Sequence, residues 1–280
     1  MIPRLVIFSG LDGPLDNPSA SAFAKAAGVL EAVTRANVSL IISSRKTRAE
    51  LEHIQQELGI RDPLICESGA AAFIPPDCFA GDVPGARQIA GYNAVEFGRT
   101  YSDVVATLHR TARNLRIAIQ GFSDMSVEDV AREYQVTLLR ARLAKLREYD
   151  EPFRILDPHP GAGIRLFKAL QAARLQCTSV GRYHHVGALL DKYGAVNLLR
   201  TLYRRTHDSV FTVALVDAAA GRHLLKPLDH VVTLGLPGAG LASHDAKQHQ
   251  RRRAAHDAVE LLGNVRCIRR LKWRDARCGL

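Results

Sequence analysis

No apolar run in this 280-residue chain approaches the roughly 18 residues that a membrane-spanning helix needs, which excludes an ordinary helical membrane protein. No basic-then-apolar leader opens it either, so a cytoplasmic location is expected. Cysteine is sparse: Cys66, Cys78, Cys177, Cys267 and Cys278 are odd in number and scattered, without paired metal-ligand spacing. That usage argues against a disulfide framework and a structural zinc cluster, and fits ordinary thiols in a reducing compartment. Internal repeats and low-complexity tracts are missing. Acidic residues are the scarcer charge, 28 Asp and Glu against 38 Lys and Arg, for a net charge of +10. Much of the excess sits in residues 245–280, where ten basic residues, including Arg251 to Arg253, face four acidic ones. Such a stretch could attract a polyanion. It lacks the interleaved aromatics of a single-strand platform, having only Trp273, so a solvated surface is expected there and a nucleic-acid partner is not.

What the chain does have is a large apolar fraction, 47%, enough for a sizeable core with room for two domains. Leu5 to Phe8 is an apolar run suited to a buried parallel strand, and Asn17-Pro18-Ser19 opens an Ala-rich helical stretch reaching Arg35. Val38 to Ser43 is a second strand. Thr47 to Leu58 is a helix with Leu51, Ile54 and Leu58 at helical spacing, and Leu64-Ile65 starts a third strand. This alternation predicts a doubly wound α/β core, a parallel sheet with helices on both faces. After Pro75-Pro76 the register changes, with helical segments at Ser126 to Glu133 and Thr137 to Glu148. The core pattern returns with a helix from Ala188 to Tyr203 and an apolar strand from Val210 to Val216. Residues 1–84 and 188–280 thus read as one split core, and 85–187 as an inserted α/β cap domain.

Several ordered motifs carry a resemblance. Val6 to Asp16 reads Val-Ile-Phe-Ser-Gly-Leu-Asp-Gly-Pro-Leu-Asp; Ile41 to Glu50 reads Ile-Ile-Ser-Ser-Arg-Lys-Thr-Arg-Ala-Glu; Cys66 to Pro75 contains Glu67-Ser68-Gly69-Ala70 and Phe73-Ile74-Pro75. Gly121 to Ser126, Arg147 to Phe153, Gly181 to His185 and Asp191 to Val196 follow in order. Over about residues 4 to 235 this set resembles the mannosyl-3-phosphoglycerate phosphatases of the haloacid-dehalogenase superfamily. The resemblance implies a Rossmannoid core with a cap, a magnesium cofactor, and a phosphorylated sugar or sugar-phosphoglycerate as ligand.

The same resemblance assigns roles. Asp12 stands where the family's acid/base belongs, Ser44 at the phosphate-binding hydroxyl, Lys192 at the phosphate lysine, and Asp12 and Asp217 among the metal ligands. Arg45 and Lys46 follow the second strand, where a doubly wound fold places ligand-contacting loops; with Asp124, Arg182 and His184 from the middle motifs they are candidate substrate contacts. Three departures occur at the chemistry itself. Gly10 occupies the nucleophile position and cannot become an aspartyl-phosphate. Pro14 replaces the threonine of the first motif, and Gly221 replaces an acid of the motif that Asp217 opens. Magnesium, which demands hard oxygen ligands, should then bind weakly or not at all. The expectation is an inactive or strongly impaired phosphatase that still binds a phosphorylated sugar, or a protein partner. The alternatives are an active magnesium-dependent phosphomonoester hydrolase and, behind it, a polyanion binder acting through the basic C-terminal region.

Overall fold

The computed structural model describes residues 4–10, 38–188, 192–217 and 228–234. Asp12, Pro14, the helix expected over 19–35, Gly221 and the basic stretch at 245–280 lie outside the described residues.

Strand β1 (Arg4–Gly10) is apolar on both faces, with Val6, Ile7 and Phe8 all buried, as a central parallel strand requires. Strand β2 (Ser39–Ser43) is buried throughout and pairs with β1 in parallel register, Phe8 opposite Ile41 and Gly10 opposite Ser43. Helix α1 (Arg48–Leu58) starts at a reciprocal cap: Thr47 Oγ1 accepts from the Glu50 N–H at 3.1 Å, while the Thr47 N–H donates to Glu50 Oε2 at 2.9 Å. It stops at Gly59, which takes the left-handed conformation at φ 63°. Strands β3 (Leu64–Cys66), β4 (Ala71–Ile74), β5 (Arg87–Ile89) and β6 (Tyr92–Glu96) follow.

The larger sheet is completed late in the chain by β11 (Val210–Asp217) and β12 (His230–Leu234), giving the order β12-β11-β1-β2-β3-β4-β6-β5. Pairing is parallel from β12 to β3 and antiparallel from β3 to β5. Helix α6 (Lys192–Thr206) covers one face, packing Ala195, Val196 and Leu199 on Val6, Phe8, Ile41 and Ile65. On the other face Leu51 of α1 packs with Ile42, Leu64 and Phe73. Each fully buried aliphatic side chain contributes about 1.5–3 kcal/mol here, so both helices are anchored by sheet contact rather than by their own propensity.

A second, wholly antiparallel sheet has the order β7-β8-β10-β9, from β7 (Ile119–Gly121), β8 (Asp150–Ile155), β9 (Gln176–Val180) and β10 (Tyr183–Gly187). Helices α2 (Tyr101–Leu115) and α5 (Ala162–Ala172) cover one face: Val104, Leu108, Leu166 and Leu170 enclose Phe153 and Val186. Helices α3 (Val127–Tyr134) and α4 (Leu138–Lys145) form a satellite cluster with Phe122 and Tyr183. Lys145 fastens α4 by donating to the carbonyls of Phe122 and Met125.

Some element boundaries differ from the sequence pattern. Strands β5 and β6 fall after residue 85 yet extend the larger sheet, because Ala94 and Val95 are buried and β6 pairs with every residue of β4. The segment expected to be helical to Glu148 stops at Lys145, since the main chain at 148–150 is drawn into hydrogen bonds with Glu67. Ala188 sits in a bend, and the helix expected from it begins at Lys192.

Candidate active site

In parallel strands paired residues point to the same face, so Phe8, Gly10, Ile41 and Ser43 share the side of the sheet covered by α6. At the carboxyl end of that side Gly10 leaves no side chain beside Ser43. Lys192, the first residue of α6, donates from Nζ to the Ser43 carbonyl at 3.4 Å. Glycine, serine and lysine thus meet where β1 and β2 end. Strand β11 ends nearby: Ser9 pairs with Leu215, which brings the Asp217 main chain one residue past the level of Gly10.

The two serines of the turn differ. Ser44 is fully buried, and its Oγ accepts from the Lys46 N–H at 3.2 Å, a local turn bond. Ser43 Oγ is also buried, on the Gly10 face, and no partner reaches it among the described residues. A buried hydroxyl without a partner costs about 1–3 kcal/mol, so this atom gains from an incoming acceptor or donor. Ser44 is the hydroxyl that the family resemblance names, and period-two alternation aligns its neighbour Ser43 with Phe8 and Gly10.

The loop carrying Arg45 and Lys46 is fixed from below and from the side. Below it, Glu67 and Ser68 adopt left-handed backbone, φ 44° and 63°, uncommon for residues with a side chain. That turn lets the Glu67 N–H donate to the Lys46 carbonyl at 3.1 Å and the Ser68 N–H to the Ser44 carbonyl at 3.0 Å. From the side, Arg147 Nη2 donates to the Arg45 carbonyl at 2.8 Å, and Thr47 Oγ1 donates to the Leu143 carbonyl at 2.8 Å. Lys46 lies 3.9 Å from Glu50, and Arg48 pairs with Glu148 at 3.2 Å.

Between the two sheets lies a buried ionic network. Glu67 Oε1 accepts from the Glu148 N–H at 2.9 Å, and its Oε2 from the N–H groups of Tyr149 and Asp150 at 2.8 and 2.7 Å. Arg147 bonds the Asp150 carboxylate, and Asp150 Oδ2 meets His185 Nδ1 at 3.0 Å. Burial, reinforced by the Asp150 charge, pushes the Glu67 carboxyl up to about 8 against the pull of Arg147 and the N–H donors. Burial acts the same way on Asp150, but Arg147 and His185 outweigh it and hold that group at about 2. Sequence reading missed Glu67, Arg147, Asp150 and His185 as a unit; consecutive ionisable residues at 147–151 within a short, otherwise apolar strand start were the available sign.

The remaining candidates separate. Asp124 Oδ2 caps the Gly121 N–H at 2.8 Å and its other oxygen lies 3.5 Å from His109, so it braces the turn between β7 and α3. Arg182 bonds Glu133, which also receives Arg154 and the Tyr183 hydroxyl. His184 faces the helical side of its sheet, against Phe153 and Phe167, with Nδ1 2.9 Å from Ser179 Oγ. Its neighbour His185 faces the opposite side. Gly121 is required by packing: a Cβ there would stand 2.2 Å from Glu151 Oε1, a buried carboxylate that also holds the hydroxyls of Ser123 and Tyr101.

No family model matches the chain. Over 224 residues it is 35% identical to the glucosyl-3-phosphoglycerate/mannosyl-3-phosphoglycerate phosphatase of Methanococcoides burtonii, covering 80% of this chain and 82% of that protein. The protein of the same description from Persephonella marina is 32% identical over 227 residues, with 80% and 82% covered. Among solved structures, a haloacid dehalogenase-like hydrolase from Bacteroides thetaiotaomicron superposes with a TM-score of 0.53 at 13% identity, covering 82% of this chain and 94% of that one, a likeness of fold.

Proposed function

Because the chain belongs to the glucosyl-3-phosphoglycerate/mannosyl-3-phosphoglycerate phosphatase family, we propose that it binds a glycosyl-3-phosphoglycerate through an otherwise family-like site and hydrolyses it slowly or not at all. The observation that carries this reading is Gly10. It occupies the end of β1, in register with Ser43, where the family's attacking carboxylate would project. Lys192 supplies positive charge for a phosphoryl group at the same strand ends, and Ser43 rather than Ser44 supplies the hydroxyl. The loop at 45–46 contributes backbone and charge, and Asp12 retains the position of the acid/base.

A magnesium ion, when bound in this family, offsets phosphoryl charge. It asks for about six oxygen ligands in near-octahedral array. Gly10 and Gly221 offer no side-chain oxygen. These residues do not fit a tight magnesium site. Hydrolysis by the family's route therefore lacks its nucleophile together with the ligand that nucleophile would give the metal. Losing an anionic carboxylate also removes a repulsion against a phosphorylated ligand, which favours retention of substrate over turnover.

We also propose that the smaller sheet and its helices are the inserted cap, narrower than residues 85–187 because β5 and β6 belong to the larger sheet. The deciding experiment is phosphate release from glucosyl- and mannosyl-3-phosphoglycerate with magnesium, for wild type and Gly10→Asp, beside calorimetric binding of both compounds. Binding without appreciable release supports the proposal. Wild-type turnover at about 1 per second or faster, in the ordinary enzyme range, would establish the active hydrolase instead.

A further inference from the structure

Glu67 and Asp150 are acids without exposed surface, and their carboxyl groups bond each other side chain to side chain. An ionised carboxylate only accepts hydrogen bonds, so such a pair needs a proton between its members. Arg147 touches both, at 3.7 Å from Glu67 and bonded to Asp150. The trio is therefore neutral while that proton is present and carries one net negative charge when it is gone. The N–H groups of residues 148–150 hold Glu67 in place.

The pair adjoins the loop that follows β2. The Glu67 N–H donates to the Lys46 carbonyl, the Ser68 N–H to the Ser44 carbonyl and Arg147 to the Arg45 carbonyl, so the loop rests on the acid pair's own turn and on its arginine. Other ionisable groups around the pair have their own partners. Glu148 is taken by Arg48, Lys46 lies beside Glu50, the Tyr149 hydroxyl donates to Glu96, and Glu151 holds Ser123 and Tyr101. His185 bonds Asp150, and Lys192, opening the helix that packs on this turn, bonds the Ser43 carbonyl. Burial pushes the adjacent Cys66 thiol well above its ordinary range, which leaves it neutral. Burial and the Asp150 charge also keep Glu67 protonated up to about pH 8, near enough to neutrality for the proton to come and go.

We propose that the proton shared by Glu67 and Asp150 regulates anion binding at residues 44–46: with it the loop accepts the phosphoryl group of a glycosyl-3-phosphoglycerate, and its loss sets a negative charge beside the loop that drives the anion off. Reciprocally, an anion arriving at the loop draws the proton back. The inference rests on the functional reading above and deepens it by adding a control on the affinity of the same site. Glu67 makes no bond to the anion; it acts through its field, so the effect is several-fold rather than all-or-none.

Sulfate is the probe, because unlike phosphate it does not itself titrate across neutrality. Its dissociation constant is measured by calorimetry from about pH 6.5 to 9.5, on either side of the Glu67 transition. Mannosyl-3-phosphoglycerate is titrated alongside above about pH 7.5, where its phosphate is fully ionised. For both, wild-type affinity should fall about threefold to tenfold as pH rises through the transition. Binding should take up protons, read from the dependence of its heat on the ionisation enthalpy of the buffer. Glu67→Gln mimics the protonated acid and cannot ionise, so its affinity should stay within about twofold across the range. Infrared spectroscopy of wild type gives a readout that does not depend on how the variant folds: the carbonyl stretch of a protonated buried carboxyl should vanish over the same interval and return when sulfate is added at the alkaline end. A flat wild-type profile, binding without proton uptake, an infrared band that is absent or indifferent to sulfate, or an undiminished fall in folded Glu67→Gln would each overturn this inference and leave the functional reading standing. A wild type that binds neither sulfate nor mannosyl-3-phosphoglycerate at any pH would overturn both together.

Discussion

Arg147 Nε stands 3.7 Å from Glu67 Oε2 with both side chains almost completely buried, and this contact joins the turn after β3 to the strand that opens the smaller sheet. Two acidic side chains, Glu67 and Asp150, share this guanidinium out of reach of solvent. Such a group is costly to leave half-made: removing one partner strands the others, typically at about 3–5 kcal/mol. Glu67→Ala should therefore destabilise the protein by about that amount, measured by urea denaturation.

The same network sets a pH dependence with a definite sign. Glu67, raised from an ordinary 4.5 to about 8, keeps its proton on folding and releases it on unfolding between those values. Its contribution is therefore full below about pH 4.5 and declines as pH rises towards 8. Asp150, lowered from 3.8 to about 2, acts in reverse and withdraws its support as pH falls through that range. The joint contribution of these two groups to stability should be greatest near pH 4 to 5 and fall across the neutral range. Glu67→Gln should flatten the fall from pH 5 to 8 even though it lowers the whole curve, and an undiminished slope in that variant would contradict the assignment.

Gly121→Ala drives a methyl group to within 2.2 Å of Glu151 Oε1. Glu151 cannot swing away without abandoning Ser123 and Tyr101, which hold both of its oxygens. Overpacking of this kind costs about 1–3 kcal/mol. The expected result is a lower denaturation midpoint with an unchanged m-value.

Thr47→Val keeps the shape of a fully buried side chain and deletes its hydroxyl. Two bonds go at once, the cap on the Glu50 N–H and the donation to the Leu143 carbonyl. A lost cap alone costs about 1 kcal/mol, and the orphaned carbonyl adds to it, so about 2 kcal/mol is expected. Hydrogen exchange should show the first turn of α1 and the end of α4 losing protection together.

Magnesium titration by calorimetry should give no saturable binding at millimolar concentration to wild type, for want of hard ligands. Gly10→Asp restores one carboxylate and should produce weak binding. Turnover should recover only in part, because Gly221 and Pro14 remain and such losses are not additive. Micromolar magnesium affinity in wild type would contradict this.

How far the sequence carried the structure depends on which interaction governs each element. Strands β1 and β2 are legible because they are apolar on both faces, Val6, Phe8 and Ile41 on one side and Ile7 and Ile42 on the other. Helix α1 is legible because Thr47 and Glu50 announce its start. The network at 147–150 was not, since its partner Glu67 lies some eighty residues away and local periodicity carries no record of that distance. The same limit hid β5 and β6: short, partly exposed strands whose membership in the larger sheet is decided by antiparallel pairing with β4. Ser43 and Ser44 were separable by alternation alone, and His184 and His185 likewise, once their strands are known.

The bracing of the loop at 44–47 by Arg147 and Leu143 bears on what a lineage can discard. A side chain at position 10 takes no part in the hydrogen bonds that join the two sheets, so selection for a folded chain alone would keep that assembly whatever stands there. The smaller sheet cannot be deleted in the same way: without it Glu67 and the second strand's loop would lose the partners that hold them. Residues 147–150 thus answer to folding as well as to any activity, and a substitution there is felt by the whole chain.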